Sequence, residues 1–196
     1  DMCKNFEFDT IYHEHINFFN LKSMTKLLER INLKLHNVTK DPIHGSSYIF
    51  VIKKNSDQKK TKHLFKKERF LNLKYYKNWG KNCKILAKKI KNEIEKISKK
   101  NTVIGYGAAA KANTFINFTK IKFDLIIDDN KLKQNKFCPG SKIPIRSLNV
   151  LNRYKKNIYI VPLAWNFYRE IKKRVIKFRK NNKDKFIICY PKLKIN

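Results

Sequence analysis

From residue 101 onward short apolar runs alternate with amphipathic segments, and this alternation constrains the fold more than any other feature. TVIGYG reads as a strand running into a glycine turn, AAAKANTFINFTK as a helix, and FDLIIDD as a buried strand ending in two acids. After a loop around Pro139–Gly140, NIYIVPLAW reads as a strand, FYREIKKRVIKFRK as a helix and KFIICY as a last strand. Strands separated by helices of this length pair in parallel, because the crossover returns the chain to the same end of the sheet.

The expected fold class is therefore α/β: a Rossmann-like parallel sheet flanked by helices over 101–196. A small α/β unit and a long basic helix are expected to precede it. In the first unit, residues 6–12 (FEFDTIY) read as a strand. Residues 22–32 read as a helix that Ser23 caps, with Met24, Leu27, Leu28 and Ile31 at helical spacing. Residues 33–41 and 47–53 read as two strands joined by a Pro42–Gly45 turn. Residues 54–62 are a polar linker. Residues 63–99 read as a basic helical stretch with an apolar stripe of Leu86, Ile90, Ile94 and Ile97, open to a break at Trp79–Gly80. Phe65, Phe70, Leu71, Leu73, Tyr75 and Tyr76 are expected to add apolar contacts upstream. The expected divisions are 1–53, 54–100 and 101–196. The opening at Asp1 reads as the start of a piece of something longer.

The formal net charge is +31, which first suggests nucleic acid or an anionic surface. Only 7 of the 46 basic residues are Arg. Lys, Asn and Ile dominate the chain, and all three can be written with A and T alone, so the bias fits an AT-rich genome. A lysine-rich surface also suits bidentate phosphate or guanine recognition poorly. Nucleic acid is therefore not the expected main partner, and attraction of a polyanionic small molecule is. No apolar run approaches the roughly 20 residues that span a bilayer, so no membrane association is expected. Cys3, Cys83, Cys138 and Cys189 stand far apart in sequence. They read as reduced thiols of a cytoplasmic protein, with no metal pair among them.

Several groups of residues bear on chemistry. Tyr12-His13-Glu14-His15 follows the first expected strand. A His–Glu neighbour pair supplies a general base and a carboxylate that orients it, and Tyr12 adds a hydrogen-bond donor. The same four residues also read as a structural histidine cluster. Gly105-Tyr106-Gly107-Ala108-Ala109-Ala110-Lys111 places a glycine turn before a helix. That is a phosphate cradle, or simply a tight strand–helix turn. Asp128-Asp129 stand where a dinucleotide fold carries its ribose-binding acid, and they equally suit capping or solvation. His44-Gly45-Ser46-Ser47 is a turn able to touch substrate. Trp165-Asn166 follows a strand end on the ligand side, where a packing tryptophan is the default.

Taken in order, FDTIYHEHINFFNLKSMTKLLER, PIHGSS, GYGAAAKANT, DDNKLKQNKFCPGSKIPI and PLAWNF resemble the C-terminal portion of the S-adenosylmethionine-dependent sugar C-methyltransferases. The resemblance covers about residues 6–191. It implies a nucleotide-linked keto-deoxysugar as substrate. His15 would be the base that forms an enolate, supported by Tyr12 and Glu14. It implies that Gly105, Gly107, Lys111, Asn113, Thr114 and the loop from Asp129 to Lys136 hold the nucleotide-sugar, with His44 bordering the sugar. It also implies a cysteine-rich zinc domain and a methyl-donor domain that this chain lacks, supplied upstream or by a separate chain, so that methyl transfer by this chain alone is not expected. The alternatives are a non-catalytic nucleotide-binding module, a nucleic-acid-binding protein and a nicotinamide oxidoreductase. Three positions depart from the family pattern: Ser46 replaces a glycine, Ala112 replaces a glycine, and Phe19-Asn20 replaces an aromatic–serine pair.

Overall fold

The computed structural model describes residues 2–41, 47–55 and 72–196. His44 with its turn, much of the polar linker, and Phe65, Phe70 and Leu71 lie outside the described residues. The chain divides into two compact units, one of His13–Asn78 and one of Met2–Tyr12 with Trp79–Asn196.

In the smaller unit, helix α2 (Leu21–Arg30) packs on an antiparallel hairpin of β1 (Lys34–Asp41) and β2 (Ser47–Lys53). Its buried centre is Leu21, Leu28 and Leu35, with Met24, Val38 and Phe50 beside it. Ser23 is not the cap. Asn20 is, and Ser23 completes a capping box: Asn20 Oδ1 accepts the Ser23 N–H at 2.8 Å while Ser23 Oγ accepts the Asn20 N–H at 3.0 Å.

The larger unit is built on a six-stranded sheet of β3 (Val103–Tyr106), β4 (Ile126–Ile127), β5 (Ile145–Arg146), β6 (Tyr159–Pro162), β7 (Lys185–Ile188) and β8 (Lys194–Ile195). The order is β5-β4-β3-β6-β7-β8, parallel except for the antiparallel edge strand β8. Alternate residues face opposite layers. Val103, Ile126, Val161 and Ile187 meet α3 (Leu73–Ser98) and α4 (Ala110–Thr119). Ile104, Ile127, Ile160 and Phe186 meet α5 (Tyr168–Arg179). The Rossmann-like α/β expectation holds.

Two further local expectations fail. Residues 6–12 form no strand. They follow the short helix α1 (Met2–Asn5) and make a 3-10 turn at Phe8–Thr10. Thr10 donates its N–H and its hydroxyl to the Glu7 carbonyl, Phe8 is drawn into the core, and Asp9 is held by Trp165. These side-chain anchors override the alternating pattern. The helix is also unbroken at Trp79–Gly80: α3 runs straight through, and nothing crowds Gly80. Its buried stripe is Cys83, Ala87, Ile90 and Ile94, flanked by Leu86 and Ile97. Upstream, Leu73 and Tyr76 are exposed.

The strand order places a topological switch beside β3. From β3 the chain winds outward through β4 to β5, then crosses to β6 and winds the other way. In open α/β sheets the crevice beyond the C-terminal ends of the two strands at such a switch is where ligands bind. Here those strands are β3 and β6, ending at Tyr106 and Pro162 side by side.

Candidate functional site

The β3–α4 turn is held in place by contacts that require its glycines. Gly107 has φ +95°, and a Cβ there would stand 2.8 Å from the Ala164 Cβ on the loop after β6. A Cβ on Gly105 would meet Leu163 at 2.9 Å and Ile126 at 3.0 Å. Asp128 locks the turn from the neighbouring strand. Its Oδ2 accepts the Ala108 N–H at 2.7 Å and its Oδ1 accepts the Asn130 N–H at 2.8 Å. Lys133 Nζ donates to the Ala108 carbonyl at 3.0 Å and lies 3.8 Å from the same carboxylate. Gly107→Val combines an unfavourable φ with a steric overlap, each worth about 1–3 kcal/mol. The variant is expected to lose about 2–6 kcal/mol in urea denaturation. An unchanged midpoint would show that the Ala164 loop simply yields.

Beyond the turn, α4 begins among small residues. Ala109 is its N-cap, with no side-chain cap hydrogen bond and no acid in the first turn. The first-turn N–H groups and the positive end of the helix dipole are thus left to an anion. Lys111 lies in that first turn. Its Nζ donates to Asn166 Oδ1 at 2.8 Å, sits 4.1 Å from the centre of the Trp165 ring and lies 3.9 Å from Asp9 Oδ2. Trp165 Nε1 donates to the same Asp9 oxygen at 2.8 Å. Burial lowers the Lys111 pKa, and the negative charges of Asp9 and Glu7 oppose that. Burial raises the Asp9 pKa, and Lys111 and the Trp165 N–H oppose it.

The second acid of the pair after β4 has other partners. Asp129 accepts the Tyr106 hydroxyl at 3.0 Å and pairs with Arg174 of α5 at 2.6 Å. Burial, with Asp129 beside it, pushes the Tyr106 phenol far up.

Residues 42–191 match the family model of the C-methyltransferase C-terminal domain. The chain belongs to that family. It is also 28% identical to the C-methyltransferase NovU of Streptomyces niveus, in an alignment covering all of this chain and 49% of that protein. The chain thus spans about half the length of this curated relative.

As a C-methyltransferase C-terminal domain, the chain gathers only some of the residues expected from its sequence. Gly105, Gly107, Lys111 and Asp129 converge around the ends of β3 and β4. Asn113 lies two residues beyond Lys111 on α4, its Oδ1 buried without a hydrogen-bond partner. The Thr114 hydroxyl bonds back to the Ala110 carbonyl. Lys133, rather than Lys136, reaches the turn. Lys136 closes a tight loop, donating its N–H to the Lys133 carbonyl and accepting that of Ile145. Tyr12 belongs to the larger unit, and His13, Glu14 and His15 to the smaller one. His13 Nε2 lies 3.9 Å from Glu14 Oε1, and His15 meets the Phe18 ring edge-on at 5.9 Å. All three are exposed.

Asp9 and Arg174 were not foreseen as members of the site, and Lys133 only as part of the loop from Asp129 to Lys136. A lone charged residue carries no periodic signal, and only the fold brings these three to one end of the sheet. Among the described residues no cluster of three His, Cys, Asp or Glu could hold a metal ion, and no helix is long and apolar enough to cross a membrane.

Proposed function

We propose that this chain is the substrate-binding and base-donating half of a cytoplasmic sugar C-methyltransferase, acting on a nucleotide-linked keto-deoxysugar. The observation that carries the reading is the uncapped start of α4 with the Lys111 ammonium in its first turn. The uncapped N–H groups and the positive end of the helix dipole there lie at the switch point of the sheet and suit a diphosphate. Asn113, with a buried acceptor still unpaired, suits a ligand donor such as a hydroxyl or imide N–H. By the family resemblance, His15 takes the proton alpha to the sugar ketone, Glu14 supports its basicity, and Tyr12 donates toward the enolate oxygen. His44 borders the sugar, and Asp129 and Lys136 belong to the loop over the nucleotide. The methyl donor is S-adenosylmethionine, held outside the described residues, in an upstream segment or on a separate chain.

The test is calorimetric titration with thymidine diphosphate at two salt concentrations, with S-adenosylmethionine and a random DNA duplex as comparisons. Saturable nucleotide binding is expected, with no binding of the methyl donor. Lys111→Ala is expected to weaken it by about tenfold or more, the loss of one charge-assisted contact. Tight duplex binding with a steep salt slope and no nucleotide saturation would replace this reading with nucleic-acid binding.

A further inference from the structure

The Asp9 side chain is 1% exposed, one of its oxygens has no hydrogen-bond partner, and the resemblance gives it no role. A buried carboxylate in that state costs stability that an apolar side chain would not. Packing does not account for it either, because the neighbouring Phe8 anchors the turn. Phe8 stacks on Phe115 at 5.9 Å and meets Phe118 at 4.6 Å and Tyr190 at 5.7 Å. What Asp9 does alone is place a negative charge under the first turn of α4, fixed by the Trp165 N–H and 3.9 Å from the Lys111 ammonium. Asn166 takes another donor of that ammonium, and the Trp165 ring lies against it.

We propose that Asp9 is a positioning residue: it holds Lys111 charged and aimed beneath the glycine turn, and it fastens the stretch leading into Tyr12 to the same turn. This deepens the nucleotide-binding reading and rests on it for its biological purpose, but the contact itself can be tested without nucleotide. Among the described residues, the charged groups facing Lys111 are Asp9 and Glu7, both from the N-terminal stretch. Trp165 and Asn166, from the connection after β6, are uncharged. Cys189 and Tyr190, which follow β7, have their pKa values raised by burial and by the charge of Asp9, so both are neutral at physiological pH.

With Asp9 neutralised, burial and the weaker influence of Glu7 remain, so Lys111 should give up its proton at lower pH. The experiment is competitive acetylation of the whole chain across a pH series, read lysine by lysine by mass spectrometry. Asp9→Asn keeps the shape and an acceptor for Trp165. It is expected to move the Lys111 labelling curve to lower pH, with labelling roughly three- to tenfold faster at pH 8, while Lys91 on α3 is unchanged. Asp9→Ser should move the curve the same way, which guards against a packing artefact of either variant. A Lys111 curve that stays in place in both folded variants overturns the positioning role. Thymidine diphosphate added to the wild type is expected to slow Lys111 labelling. No slowing, with the Asp9 effect intact, removes the nucleotide from the turn and leaves the positioning role standing.

Discussion

Arg179→Ala is expected to destabilise the chain by about 3–5 kcal/mol, the cost of stranding one member of a buried ion pair. Arg179 closes α5, and its side chain and that of Asp184 are almost fully buried. Its Nε and Nη2 donate to the Asp184 carboxylate, at 2.5 and 3.3 Å. Its Nη1 donates to the Leu151 and Tyr154 carbonyls at 2.9 Å, and Nη2 to the Lys156 carbonyl at 2.9 Å. Asp184 in turn accepts the Ile158 N–H just before β6 at 2.9 Å. One guanidinium therefore ties the helix end, the 3-10 segment Leu148–Arg153, the approach to β6 and the approach to β7. Removing it leaves a buried carboxylate and three carbonyls short of donors. Arg179→Lys keeps the charge but cannot span these acceptors, and should recover only part of the loss. Urea denaturation measures both. A loss under about 1 kcal/mol would mean that water replaces the guanidinium at little cost.

His15→Asn is expected to slow exchange of the sugar proton alpha to the ketone by about 10²–10⁴-fold, the usual contribution of a positioned general base. In the proposed mechanism the chain's own part ends at the enolate, so the step can be followed without a methyl donor. The wild-type chain, a nucleotide-linked keto-deoxysugar and D₂O suffice, with loss of the proton signal as the readout. Glu14→Gln should have a smaller effect, because it tunes and orients the base without removing it. Nucleotide binding should be unchanged in both variants. Equal exchange in wild type and His15→Asn would assign the base elsewhere, and absence of exchange in the wild type despite nucleotide binding would favour a binding module.

The sheet and its glycine turn were legible because period-two apolar runs and a strand–glycine–helix order are local signals. Ile126–Ile127 and Ile160–Val161 are strand residues in any reading. The reason for Gly107 was not legible: its neighbour is Ala164, far away in sequence and brought close only by the β3–β6 pairing. Strands β5 and β8, two residues each, lie in segments without the apolar run that marks β4. The strand expected at 6–12 shows the opposite failure. FEFDTIY alternates well enough, but Phe8 buried in the core and Asp9 held by Trp165 fix it in a 3-10 turn instead. Asp128 and Asp129 look alike in sequence, yet one fastens a turn while the other pairs with Tyr106 and Arg174. That division depends on which face of the strand end each occupies.

The unequal cores of the two units carry a thermodynamic consequence. The heat capacity of unfolding follows the apolar area exposed. Among the described residues, three leucines form the buried centre of the smaller unit, whereas both faces of the sheet are packed in the larger one. The curvature of stability with temperature, and with it the temperature of greatest stability, is therefore a property of the sheet unit. The described residues of the hairpin unit add little to either.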